Sequence, residues 1–371
     1  LLLENIKSGG LVMWPNQKLL DLFQIELPII QAPMAGANGS AMAIAVSEAG
    51  GLGFLPCAML SEDQIRAETG IIQQKTDRPF GMNFFCHTAI APTPEQEAKW
   101  AARLTPYYKE FGLDPAEIAP APVRRAFDES MCELVEDIKP HVASFHFGLP
   151  DPSLLARIKA AGVRVVSSAT TAAEARWLEA NGCDAIIAQG YEAGGHRGMF
   201  LTDDITAQAG TMALLPQVVD AVDLPVIAAG GIADGRGIAA AFALGAAGVQ
   251  IGTAYLFTPQ ALITDIHRAA LHQVKDDQTV LTNVFSGKPA RGIINRATRE
   301  VGPISREAPP FPTAGAALAP LKAKAEDAGS GDFTSLWSGQ AAAMGRDIDA
   351  GELTRDLASE ALQRLKLLSR D

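Results

Sequence analysis

Apolar positions along this chain fall into two alternating rhythms. Short, nearly continuous apolar or β-branched runs recur at 29–33, 51–55, 79–85, 142–148, 163–169, 185–189, 226–230 and 248–253. Between most of them lie stretches with helical spacing, at 40–49, 62–75, 152–161, 172–181, 210–222 and 236–244. Runs that are apolar throughout suit strands covered on both faces. In "DPSLLARIKAAG" (151–162), Asp151 can cap a helix, Pro152 suits its first turn, Leu154, Leu155 and Ile158 form one stripe, and Gly162 ends it. Such alternation predicts a parallel sheet with right-handed crossovers. Eight units between residues 29 and 253 match an α/β fold of the (β/α)8 TIM-barrel type, which typically takes ~250 residues. An open doubly wound sheet would favour G-x-G-x-x-G after its first strand, but the turn here reads "APMAGANGS".

Two regions break the rhythm. Residues 88–140 hold "APTPEQ" and "IAPAPVR" with helical pieces between. Beyond 258 come a proline-free helix at 260–274, irregular "NVFSGKPARGIINR" and "EAPPFPTAG", and amphipathic "ELTRDLASEALQRLKLL". We therefore expect residues 1–13 to be upstream or tag sequence, 14–258 to form the barrel with 88–140 inserted after its third strand, and 259–371 to form a helical and loop region covering the mouth.

Composition narrows the function classes. The 371 residues are 48% hydrophobic, enough for a large core, and a net charge of −11 without a long Lys/Arg run argues against nucleic acid. Cys57, Cys86, Cys132 and Cys183 lie far apart without metal-ligand spacing, which suits a reducing cytoplasm and no metal. The uncharged stretch 237–264 is cut by Gly245, Gly248 and Gly252, so a short helix and a buried strand explain it better than a membrane span.

In barrels of this type the chemistry sits at the carboxyl ends of the strands. Those ends read "QAPMAG" (31–36), "GMNFF" (81–85), "AQGYEAGGHRG" (188–198), "AAGGIAD" (228–234) and "QIGTAY" (250–255). Asn83, Gln189 and Gln250 are carboxamides among apolar neighbours and need partners if buried. Gly230 and Gly231, ahead of the helix from Arg236, and Gly252 with Thr253 occupy the usual phosphate pocket of the fold; the alternative is that these glycines only make tight turns. With a phosphate there, amides on the third and sixth strands would bracket a flat heterocycle such as a flavin. FMN fits better than a nucleoside triphosphate, because no GxxxxGK[ST] loop exists.

His196 is the leading catalytic candidate. Gly194 and Gly195 would let the backbone turn beneath a ligand while the imidazole projects over it, and a histidine can exchange a proton near neutrality. The alternative is a solvent-exposed loop histidine. His146, on the strand face of Ser144, could reach the mouth or be a hydrogen-bonded interior residue. Arg197 and Arg291 could hold an anionic substrate, or be surface charges or ion-pair members. His87 falls just past the third strand, and His141, His267 and His272 read as surface or helix residues.

Taken in order, "QAPMAG", "GMNFF", "QGYEAGGHRG", "AAGGIAD" and "QIGTAYLF" closely resemble the nitronate monooxygenase family, formerly called 2-nitropropane dioxygenases; the "EAGGHRG" motif resembles the class I branch. The resemblance runs from about Leu27 to "LWSGQAA" (336–342). It implies an FMN-containing barrel that oxidises alkyl nitronates, notably propionate 3-nitronate, with O2 to a carbonyl compound and nitrite, without NAD(P)H. Matched motif by motif, it implies that Ala32, Pro33, Met34, Asn83, Gln189, Gly194, Gly195, Gly230, Gly231, Gln250, Ile251, Gly252 and Thr253 bind FMN and that His196 is catalytic. His196 would deprotonate a neutral nitroalkane or orient a nitronate anion. The partners implied are small molecules alone, with the chain as monomer or homodimer. The rival is an NAD(P)H-dependent flavin reductase of the enoyl-acyl-carrier-protein reductase or quinone reductase type; the His-Arg-Gly continuation and extended C-terminal segment favour the monooxygenase.

Overall fold

The computed structural model describes residues 13–88, 90–114 and 125–369, so nearly all of the expected upstream segment lies outside the described residues. In chain order the strands are β1 (Ile29–Gln31), β2 (Gly53–Pro56), β3 (Phe80–Phe85), β4 (Val142–His146), β5 (Arg164–Ala169), β6 (Ala185–Gln189), β7 (Gly195–His196), β8 (Val226–Ala229), β9 (Gly248–Ile251), β10 (Thr279–Thr282) and β11 (Ala290–Ile293). Eight form one parallel sheet in the order β1-β9-β8-β6-β5-β4-β3-β2. Its two ends meet at Leu52, which donates its N–H to the Ile29 carbonyl and accepts from the Gln31 N–H, both at 3.0 Å. The result is the expected (β/α)8 barrel.

All eight predicted strands are present, several stopping short of the apolar run. β4 ends at His146 because Phe147 turns left-handed, at φ 69°. β9 ends at Ile251 because residues Thr253–Phe257 wind into a 3-10 turn. Alternation along each strand sorts its residues by face. Ile30, Phe54, Val166, Ile187 and Ile227 fill the interior together with Leu19 and Phe23 from the helix Lys18–Phe23. Ile29, Leu55, Phe84, Phe145, Val165 and Ile186 pack outward against the helices. The same alternation, continued to the carboxyl ends, brings Asn83, Ser144, His146, Ser168, Gln189 and Gln250 to the inner face.

Seven surrounding helices each connect one barrel strand to the next: Ser40–Glu48, Glu62–Lys75, Glu129–Ile138, Pro152–Ala160, Ala172–Ala180, Thr211–Val219 and Gly235–Ala243. The eighth is the terminal helix Ala350–Leu368, which lies against Ser40–Glu48 and Gly235–Ala243 and buries Leu353, Leu357, Ala358 and Ala361 in the barrel's shell. This revises the expectation that 259–371 as a whole covers the mouth: its end completes the helical ring.

The remainder of that region does form a lobe. Trp100, Leu104 and Tyr108 of the inserted helix Pro94–Phe111 share a second small core with Leu318, Leu321 and Phe333. Trp100 Nε1 donates to the Ala314 carbonyl at 3.0 Å and the Tyr108 hydroxyl to the Ala317 carbonyl at 2.6 Å. The lobe carries an antiparallel sheet, β10-β11-β7, in which Ala290 stands opposite His196 and Arg291 opposite Gly195. "NVFSGKPARGIINR", expected to be irregular, therefore contains a strand.

The far end of the histidine loop is fixed by Glu174, which is fully buried. Its carboxylate accepts from Thr170 N–H, Thr170 Oγ1 and Phe200 N–H, each at 2.7 Å, and from Leu201 N–H at 3.2 Å. Removing it takes the acceptor from four donors, the two on Thr170 being buried. Glu174→Ala should lower the unfolding free energy by about 3 kcal/mol in a urea titration; a loss below about 1 kcal/mol would mean that water substitutes for the carboxylate.

Candidate active site

The loop that leaves β6 returns across the barrel mouth as β7. Gly195 makes the return with φ 69°, and a Cβ there would meet no atom within 4 Å, so its side faces open space. The His196 carbonyl accepts two hydrogen bonds from the inner barrel face, from Gln189 Nε2 at 2.9 Å and from His146 Nε2 at 3.1 Å. Gln189 Oε1 accepts from the Gly198 N–H at 2.7 Å, so one amide spans the loop. His146 Nδ1 lies 3.1 Å from Ser168 Oγ. A carbonyl can only accept, so His146 carries its proton on Nε2 and takes the Ser168 hydroxyl proton on Nδ1. Burial pushes the His146 pKa down to about 4; the bond to His196 opposes this, and the charges of Arg197 and Lys288 reinforce it.

The His196 imidazole faces the lobe. Its Nε2 lies 2.9 Å from Ser286 Oγ. Ser286 Oγ also donates to the Lys288 carbonyl at 3.2 Å. The hydroxyl has one proton for these two neighbours: given to the Lys288 carbonyl, it accepts from His196 Nε2–H and leaves Nδ1 as the basic nitrogen. Phe311, Trp337, Phe147 and Phe85 surround the imidazole, with ring centroids at 5.4, 5.5, 6.1 and 6.3 Å. The left-handed turn at Phe147 costs about 1–3 kcal/mol and is braced by Ser167 Oγ, which bonds the Phe145 and Gly148 carbonyls at 3.1 and 2.8 Å. His267, expected only as a surface or helix residue, is buried and donates from Nε2 to the Trp337 carbonyl at 3.0 Å; burial pushes its pKa down to about 4.

The glycine-rich strand ends meet around the rim. A Cβ on Gly252 would stand 3.5 Å from Ala32 Cβ and 3.8 Å from Met34 Sδ. One on Gly230 would stand 3.0 Å from Ala193 N, and one on Gly194 would collide with the Gly339 N at 2.5 Å. Gly339 N–H in turn donates to Thr253 Oγ1 at 2.9 Å. Asn83 Nδ2 donates to the Ser144 carbonyl and hydroxyl, both at 3.2 Å. Gln250 Oε1 is buried with no protein donor, which is the state expected of an acceptor reserved for a bound molecule. Gly231 follows Gly230 at the rim, and Ile251 is buried beside Gln250. Pro33 lies between Ala32 and Met34 on the β1 turn.

Arg197 and the helix from Gly235 differ from expectation, and Arg291 differs only in being buried. Arg197 is fully buried, donating to the Gln189 and Gly190 carbonyls and to Gln208 Oε1, so it holds neither substrate nor a surface ion pair. Arg291, 2% exposed, lies 4.7 Å over the Tyr191 ring and donates to the Tyr191 carbonyl and Thr279 Oγ1, while its Nη2 is buried without a partner among the described residues, as an anion-holding arginine requires. The helix from Gly235 does not offer its amino end to a phosphate: Asp234 accepts from Arg236 and Gly237 N–H, and Glu360 from Gly235 N–H. Sequence reasoning missed Ser286, Phe311, Trp337 and Gly339, which lie in segments it had quoted but not assigned to the site. A cavity of about 640 Å³ opens beside Phe85, lined by Cys57, Met59, Phe84, Phe127 and others but by none of the predicted site residues. Among the described residues there is no metal-ligating cluster, and no helix is long and apolar enough to cross a membrane.

A parallel α/β barrel with a histidine and paired carboxamides over its carboxyl-end mouth defines a class of small-molecule enzymes. Residues 16–360 match the family model described as nitronate monooxygenase. A nitronate monooxygenase of Paraburkholderia phytofirmans is 41% identical over 355 residues, covering 95% of this chain and 97% of that protein. The crystal structure of nitroalkane oxidase from Streptomyces ansochromogenes superposes with a TM-score of 0.86 at 39% identity, covering 95% of this chain and all of that one. FabK from Thermotoga maritima is more distant, with a TM-score of 0.68 at 27% identity over 94% of this chain and 97% of that one. The chain belongs to the nitronate monooxygenase family, a family of oxidoreductases.

Two outcomes test this geometry. Arg197→Met should cost about 3–5 kcal/mol of stability, because it leaves buried carbonyls without their donor; a KM increase at unchanged stability would return Arg197 to a substrate-binding role. His146 and His267 are neutral in the fold down to about pH 4, whereas in the unfolded chain they protonate near 6.5. Acidification through that interval should therefore favour unfolding, each histidine contributing a slope of up to about 1.4 kcal/mol per pH unit. Urea midpoints for His146→Asn should show a shallower fall between pH 6.5 and 4 than those of the parent.

Proposed function

We propose that the chain binds FMN at the barrel mouth and oxidises alkyl nitronates, propionate 3-nitronate among them, and neutral nitroalkanes with O2, yielding a carbonyl compound and nitrite. The observation that carries this reading is the His196 imidazole, hung by its backbone from the barrel and by Nε2 from Ser286. The residues present fit the cofactor. Gln250 has a buried acceptor in need of a donor, and the rim at Ala32–Met34, Gly194–Gly195, Gly230–Gly231 and Gly252–Thr253 is backbone-rich, as close approach to a phosphate-bearing molecule requires. Asn83 and Gln189 would bracket the ring system. Gln189 serves the loop at the same time, retaining a second amide hydrogen. Bound FMN would supply one-electron acceptance from the nitronate and reactivity toward O2.

The protein's own residues do the rest. For a neutral nitroalkane, His196 Nδ1 accepts the α-proton; for a nitronate that step is already complete, and the imidazole orients the anion. Ser286 prevents the ring from rotating out of position. Phe85, Phe147 and Phe311 exclude water, which strengthens each polar contact inside.

His196→Asn should keep its yellow flavin spectrum while losing about 10²- to 10⁴-fold in turnover of neutral nitroethane, with a smaller effect on ethyl nitronate. An undiminished nitroethane rate would remove the histidine as base. In anaerobic stopped flow, rapid bleaching by NADH and none by a nitronate would instead establish the reductase alternative.

A further inference from the structure

We infer that Lys288 selects among nitronates, favouring those that carry a carboxylate at the far end of a short chain. The inference rests on the nitronate reading above and adds a specificity determinant to it. Lys288 follows Ser286 by two residues, in the turn whose hydroxyl holds His196. This turn is rigid. Gly287 sits at φ 94°, where a Cβ would stand 2.3 Å from the Pro309 carbonyl, and Lys288 N–H and C=O both bond Ser286 Oγ, at 3.4 and 3.2 Å. The next residue is fastened to the catalytic loop itself, its carbonyl accepting from Arg197 N–H at 2.9 Å.

From this base the ammonium of Lys288 stands 4.9 Å over the ring of Phe147, the ring that also faces His196. Lys99, Lys159 and Lys322 each pair with a carboxylate; the half-buried Lys288 has no ion-pair partner among the described residues. A partly desolvated cation without a counter-ion is a standing site for an anion. The chain's overall charge of −11 makes the feature more informative, since the long-range field opposes a doubly charged substrate and only a local cation can offset it. His196 accounts for the reacting end of such a substrate, the aromatic wall for its methylenes, and Lys288 for its distal carboxylate.

The nitronates of 3-nitropropionate and of 1-nitropropane isolate this contact, because they share chain length and reacting group and differ by carboxylate against methyl. Lys288→Met should lower kcat/KM for the first by about 10- to 100-fold, mainly through KM, and change that for the second by less than about twofold. Lys288→Arg should retain most of the preference. Should the Met variant not fold, judged by its flavin spectrum and circular dichroism, Lys288→Gln on the same pair gives the reading. A parallel fall on both substrates, or no change on either, overturns the assignment while leaving the nitronate activity standing. A parent enzyme that oxidises neither nitronate overturns the functional reading itself.

Discussion

A single carbonyl oxygen, that of His196, accepts from two side chains that reach it from different barrel strands, Gln189 on β6 and His146 on β4. Each bond is worth about 1 kcal/mol net, but their effect is geometric. They hang the His196 backbone from the inner face of the sheet, where strand alternation has already fixed which side chains point inward. Position along the loop then follows from barrel register, since Asn83 pairs with Ser144, Phe85 with His146 and Gln189 with Ala229. A one-residue slip in β4 or β6 would turn these groups outward and leave the loop without its suspension.

Charge is distributed to keep that suspension dry. Arg197, adjacent to His196, is committed to the carbonyls of Gln189 and Gly190, so the turn beneath the loop is bridged by a guanidinium. Burial and the neighbouring Arg291 lower its pKa to about 10, which still leaves it charged at neutral pH. His146 is held neutral by the same desolvation. A protonated His146 would lose its Nδ1 acceptor and set Ser168 free, so the low pKa and the fixed tautomer are two aspects of one arrangement.

The barrel was legible in the sequence because its strands are local signals: apolar runs of strand length, most of them followed by a stretch of helical spacing. The carboxyl-end motifs were legible for a related reason, since a polar amide or a glycine pair at the end of an apolar run stands out against its neighbours. What escaped depends on contacts between distant segments. β7 is two residues long and exists only because β11 lies beside it, and no periodicity can announce a strand of that length. Ser286 and Phe311 sit in glycine- and proline-rich stretches whose meaning comes from the loop they meet. Arg197 was misread because an arginine bonded to backbone carbonyls has the same local sequence as one exposed to solvent. The terminal helix looked like an appendage, since its partners Ser40–Glu48 and Gly235–Ala243 are over a hundred residues away.

That last connection determines how the wall opposite the histidine behaves. The segment bearing Ser286, Lys288, Phe311 and Trp337 runs between β9 and the terminal helix, both of which are integral to the barrel. It is fastened at its ends by the ring and along its length by β11, by the Trp100 and Tyr108 bonds and by His267. Swinging such a wall aside would mean either breaking the β7–β11 pairing or carrying His196 along with it. The imidazole and the groups that face it therefore belong to one stiff unit. A lobe movement that left His196 in place would cost the ladder pairs Ala290–His196 and Arg291–Gly195, so the imidazole and the wall that faces it move together or not at all.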